Sequence, residues 1–161
     1  MPFYYDVSRS ETSNGSAGST TTHFWAQTVA NQETCAIKGV FPNSRFATAG
    51  GAQYRILTNT GTVASGGTAF TPTKRNLRAN PSAQTTWFSD ASTITAGGTL
   101  VQRMSIGFAQ TGGQGGWVAL EPADALQLMP NATNPVDIEF LSIASSASVT
   151  FDVTHEFSEG I

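Results

Sequence analysis

Apolar and polar residues alternate with period two in short runs along most of the chain, and clusters of Gly, Pro, Asn and Ser cut the runs apart. That is the pattern of many short strands, because successive side chains of a strand point to opposite faces. Between His23 and Val29, Trp25, Gln27 and Val29 share one face, and Phe24 and Ala26 the other. Cys35, Ile37 and Gly39 alternate with Ala36, Lys38 and Val40, and Phe41-Pro42-Asn43 is expected to break that strand. In residues 52–59, Tyr54 and Ile56 stand opposite Arg55 and Leu57. Residues 85–89 and 92–96 read as two further short strands turned at Asp90-Ala91.

The longest uninterrupted segment, residues 99–110, places Leu100, Gln102, Met104, Ile106 and Phe108 on one parity and reads as a central strand. The glycine run 112–116 after it reads as a hairpin turn or a mobile tip, followed by a short strand at 117–120; residues 125–129 fit a strand or a single helical turn, with the strand favoured. Val136, Ile138 and Phe140, then Val149, Phe151 and Val153, alternate with polar residues and predict two antiparallel neighbours. Ser8 to Thr22 is small and polar and reads as a flexible arm, so the expected organisation is an N-terminal strand and arm over 1–22 and a single domain over 23–161. About nine or ten strands with glycine-rich corners predict an all-β, two-sheet antiparallel sandwich of jelly-roll type, with an up-and-down barrel as the next choice.

Composition sharpens this picture. Ser, Thr and Gly make up 54 of the 161 residues, which argues against a helical bundle. No stretch approaches the roughly 18 apolar residues of a membrane span, and the first residues lack the order of a signal peptide, so a protein that is not exported by that route is expected. A single cysteine, Cys35, excludes an intrachain disulfide. The net charge of −3 hides an asymmetry: all eight bases precede residue 104, whereas residues 111–161 hold seven acids and no base. In interleaved strands this predicts ion-pair complementarity between the halves; the alternative is an electrical polarity that steers docking. Eight scattered bases give no phosphate-tracking stripe, so nucleic acid is not an expected partner.

The catalytic inventory is thin. His23, His155 and Cys35 have no ligand spacing; His155 is expected on the exposed parity or at a subunit contact, His23 as a hydrogen-bonded edge residue, and Cys35 in the core. Asp137 and Glu139 share a strand face, but that face is the solvent side by alternation. Asp124, Asp137 and Asp152 lack a calcium-loop signature, the glycine run lacks Gly-Lys-Ser/Thr, and no Gly-x-Ser-x-Gly elbow is present. A non-enzymatic protein without cofactor or metal is expected. Two elements read as candidate binding parts: the basic cluster Lys74, Arg75 and Arg78, and the aromatic start Phe3, Tyr4 and Tyr5 with Arg9 behind it.

The order of Gly67-Thr68-Ala69-Phe70-Thr71-Pro72-Thr73-Lys74-Arg75-Asn76-Leu77, the long strand from Thr99, the segment Trp117 to Leu128, and the closing run Val149 to Glu159 resembles small β-sandwich structural proteins of tailed bacteriophages. The resemblance covers roughly residues 50–159 and departs from the family at Ala123-Asp124, where a glycine-containing turn is usual. It implies a capsid decoration (cement) protein that binds the major capsid protein on the outer surface of the virion as a homotrimer, made in the host cytoplasm, with no membrane partner. Phe3, Tyr4, Tyr5, Arg9, Lys74, Arg75 and Arg78 are then the expected partner-binding residues. Deleting residues 1–22 is expected to abolish shell binding and leave the β core folded. The competing expectation is a glycan-binding jelly-roll module of a fibre or lectin that stacks Trp25, Trp87 or Trp117 on sugars.

Overall fold

The computed structural model describes residues 2–12, 20–28, 34–46, 52–60, 62–76, 82–108, 113–121, 125–128, 136–144 and 149–160. The first strands are β1 (Phe3–Thr12), β2 (Thr20–Gln27), β3 (Cys35–Phe46) and β4 (Ala52–Thr60), followed by the short β5 (Thr68–Phe70), β6 (Thr73–Lys74) and β7 (Thr86–Ser89). Then come β8 (Thr99–Phe108), the short β9 (Gly113–Gln114), β10 (Trp117–Val118) and β11 (Leu126–Leu128), and the long β12 (Val136–Ala144) and β13 (Val149–Glu159). The described residues contain no helix. All strand pairs are antiparallel and fall into two sheets: sheet A in the order β10-β3-β13-β1-β6, with β9 and β11 also on β3, and sheet B in the order β5-β7-β2-β12-β4-β8.

The chain is therefore all-β, and its two sheets meet through an aromatic core. Odd residues of β13, from Val149 to Phe157, alternate with half-buried even ones, as the sequence pattern requires. Phe151 and Phe157 of sheet A reach Tyr54 and Trp87 of sheet B at ring separations of 5.2 and 5.3 Å. Tyr5 stacks on Phe157 at 5.2 Å and is fully buried, as is Val7 beside it. β1 pairs with β13 over its whole length, from Phe3 opposite Glu159 to Thr12 opposite Thr150.

Several sequence expectations change. Ser8–Thr12 and Thr20–Thr22 are strand rather than arm, while 13–19 lie outside the described residues. With β1 seated between β13 and β6, removal of residues 1–22 takes out a strand that supplies Tyr5 and Val7 to the core; the expected survival of the fold is corrected accordingly. β12 and β13 are not neighbours, since the chain crosses from sheet B to sheet A between them. Likewise β8 and β9 lie in different sheets, and Gly113–Gln114 of the glycine run is a short strand on β3 rather than a hairpin turn from β8. Residues 92–96 form no strand; a turn at Asp90–Thr93 leads to a single bridge between Ser65 and Thr95. β8 is an edge strand of sheet B instead of a central one, and β11 is a strand as expected.

β3 runs straight through Pro42. Its carbonyl accepts from Gly115 N at 3.0 Å, so the side of Pro42 that lacks an N–H faces the gap between the short β9 and β10. A register shift against β13, where Glu156 faces Gly39 and Phe157 faces Ile37, leaves Lys38 as an extra residue of β3. That bulge moves Gly39 off the face of Cys35 and Ile37, and Val40 takes the inward position. A second bulge, where Phe140 faces Phe24 and Leu141 faces Thr22, leaves His23 extra in β2. His23 and Phe24 consequently both turn inward, against Phe151 at 5.3 Å and His155 at 5.1 Å.

Candidate functional site

At one edge of sheet A, β6 pairs with β1 and brings Lys74 opposite Tyr5, while Arg75 N donates to the Tyr4 carbonyl at 3.1 Å. The aromatic start and the basic cluster, which are about seventy positions apart in the chain, thus share one edge. Tyr4 is 44% exposed, whereas Tyr5 is a core residue and Phe3 packs partly against the core. Tyr5 is therefore removed from the surface set. Arg75 bridges Asp6 at 2.9 Å and also reaches Glu156. The Arg9 guanidinium lies 4.4 Å over the Phe70 ring. Arg78 lies outside the described residues.

At the opposite edge of sheet A, β10 carries Val118, and Leu120 follows it at 90% exposure. The ten-residue β8 is the outer strand of sheet B, and among the described residues only β4 pairs with it. These two edges lie together, because Gly115, between β9 and β10, packs so closely on Ile106 and Phe108 of β8 that a Cβ there would meet Ile106 at 2.4 Å. Val101 on β8 is also exposed. The result is an open side of the sandwich with apolar side chains and a strand edge whose backbone groups have no strand partner among the described residues.

The charge asymmetry of the sequence appears as pairing between strands. Arg45 of β3 holds Asp152 of β13 at 2.8 Å, and Arg75 joins Asp6 and Glu156. Glu159, 2% exposed, accepts from Gln84 N at 3.0 and 2.9 Å and from Thr85 N at 2.7 Å. It thereby fastens the end of β13 to the lead-in of β7.

The core holds the remaining titratable groups. His155 is fully buried, contrary to its expected exposure; the face of β13 on which it lies is the core face. Its Nε2 is 3.1 Å from Tyr54 Oη, and its ring is 4.2 Å from that of Phe140. His23 is buried in β2, an inner strand of sheet B, and is not an edge residue. Burial lowers both histidines to a pKa of about 3, so both are neutral; it raises the Tyr54 hydroxyl well above its usual range. Cys35 is buried as expected, with its thiol pushed up to about 12, chiefly by desolvation, and it is no nucleophile at neutral pH. Among the described residues no group of three or more His, Cys, Asp or Glu is placed to hold a metal ion. Trp87 is fully buried, and Trp25 is covered by Phe88 at 4.0 Å and donates from Nε1 to the Gly66 carbonyl, which removes both as sugar-stacking platforms. Trp117 is half-buried against the core.

The outer face of sheet A was not singled out by the sequence. Phe41, Thr154 and Ser8 stand in one row across β3, β13 and β1, with Asn43, Asp152 and Ser10 in the next row and Gly39, Glu156 and Asp6 in the row beyond. Phe41, Asn43, Asp152, Thr154 and Ser8 line a shallow depression of about 470 Å³. The sequence carries no signal for it: by alternation Phe41 shares the face of Cys35 and Ile37, and the Lys38 bulge turns it to the polar face. No protein-family model, curated protein or solved structure matches the chain.

Proposed function

We propose that this chain is a non-enzymatic structural protein of a tailed-phage virion: a capsid decoration protein that binds the major capsid protein on the outer shell surface as a homotrimer and stabilises the lattice. The finer fold reading that goes with it is a jelly roll. It is supported by the strand orders, β1-β13-β3-β10 in one sheet and β2-β12-β4-β8 in the other.

The observation that carries the reading is the open side, where Gly115 brings the β8 edge against the β9–β10 connection and where Val101, Val118 and Leu120, the last at 90%, are exposed on the two edges. An apolar strand edge of this length is a pairing hazard unless a partner covers it, and a sister subunit is the economical cover. The opposite edge, with Tyr4, Lys74, Arg75 and Arg9, is then left to face the shell. A trimer multiplies a weak single contact into firm attachment, and binding only the assembled lattice stabilises it by mass action. Purified protein should sediment as a trimer and should co-sediment with phage shells assembled without it, saturating at a fixed ratio per shell subunit. A monomer that leaves the shells bare overturns the proposal.

A further inference from the structure

On the outer face of sheet A, the Phe41 ring packs closely on two glycines. A Cβ at Gly39 would meet the ring at 2.8 Å and one at Gly116 would meet it at 3.0 Å, so two glycines make the bed on which it rests. Phe41 is half-buried there and lines the depression together with Ser8, Arg9, Asn43, Asp152 and Thr154. Thr154, opposite Phe41, is flanked along β13 by Asp152 and Glu156, each about 7 Å away by strand rise. Both carboxylates are held in place by guanidinium groups, Asp152 by Arg45 of β3 at 2.8 Å and Glu156 by Arg75 just after β6. The Ser8 and Thr154 hydroxyls are bonded to each other at 2.8 Å, and Asn43 adds a carboxamide to the same depression.

We propose that this face binds a neutral glycan, with the C–H face of a pyranose stacked on Phe41 and its hydroxyls donating to Asp152 and Glu156 and pairing with Asn43. An aromatic platform beside fixed, bidentate acceptors is what recognition of a polyhydroxylated ring needs, because the ring has one apolar face and a rim of donors. The carboxylates of Asp6, Asp152 and Glu156 are matched by the guanidinium groups of Arg45, Arg75 and Arg9, which also lines the depression, so no surplus positive charge is left to attract sialylated or sulfated sugars. The site is independent of the open β8 side and of any shell, and it places a sugar-reading surface on a protein whose proposed role is structural.

The test is titration of the purified chain by calorimetry with neutral hexaoses of glucose, mannose, galactose and xylose, with sialyllactose as the charged comparison. Saturable binding of at least one neutral hexaose is expected, weakened about tenfold or more by Phe41→Ala and by Asp152→Asn, with the thermal melts of both variants close to that of the parent. Leu120→Glu, on the open side, should leave it unchanged. Failure of every neutral hexaose to bind, binding indifferent to Phe41→Ala and Asp152→Asn, or a preference for sialyllactose overturns the inference. None of these results bears on attachment to shells, which is read separately by co-sedimentation.

Discussion

His155 and His23 set the acid limit of this fold. Each is neutral in the core, with a pKa lowered from 6.5 to about 3 by burial, whereas in the unfolded chain each takes up a proton near 6.5. Stability from this source is complete above pH 6.5 and is lost as pH falls from there toward 3, because only the unfolded state binds the protons in that window. The slope is about 1.4 kcal/mol per pH unit for each histidine. Urea melts at pH 7, 6 and 5 should therefore show a midpoint that falls with pH; a constant midpoint contradicts the buried, neutral assignment. Glu159 makes a second prediction at this scale. Its buried carboxylate accepts from the amides of Gln84 and Thr85, so Glu159→Gln turns a donor toward donors. A loss of about 1–3 kcal/mol is expected in denaturant melts at neutral pH.

Among the elements, the segment between β4 and β5 depends on two glycines. Gly66 and Gly67 have φ of +80° and +83°, and a Cβ on Gly66 would meet the Thr93 carbonyl oxygen at 2.2 Å. Gly66 also accepts the Trp25 indole N–H at 3.1 Å. Gly66→Ala is expected to cost about 1–3 kcal/mol and to make the Trp25 fluorescence more solvent-exposed in the folded state. The sequence made most strands legible, because β4, β7, β12 and β13 carry clean period-two alternation or sharp turn residues at their ends. Where it misled, the cause is specific. Pro42 is compatible with β3 because the neighbouring strands are discontinuous there, and the bulges at Lys38 and His23 shift parity without leaving a mark in composition. Which strands become neighbours was not legible at all: β12 and β13 have the same pattern and similar lengths, and alternation says which face is buried but not in which sheet. The same limit hid Phe41, whose place on the outer face of sheet A follows from register. The edge shared by Tyr4 and Lys74 was half legible, since both segments stood out as unusual but only the pairing of β6 with β1 joins them.

For the molecule as a whole, the open side and the seam between β1 and β13 decide how it behaves. Leu120→Glu together with Val101→Lys places charge on the apolar edge without touching the core, and should convert the proposed trimer to monomer in sedimentation velocity while the far-ultraviolet circular dichroism stays unchanged. Deletion of residues 1–22 should instead collapse the dichroism itself, since sheet A loses β1 and Phe157 loses its stacking partner Tyr5. The seam has a mechanical side as well. Phe3 and Glu159 sit directly opposite one another at one end of an antiparallel pair that runs to Thr12 and Thr150. A force pulling those two ends apart does not shear the pair with all its hydrogen bonds loaded at once; it opens them in succession, like a zip drawn from its tab. Held by those two points, this sandwich should yield at low force, so a partner of the proposed kind must grip it across the sheets and not at Phe3 and Glu159.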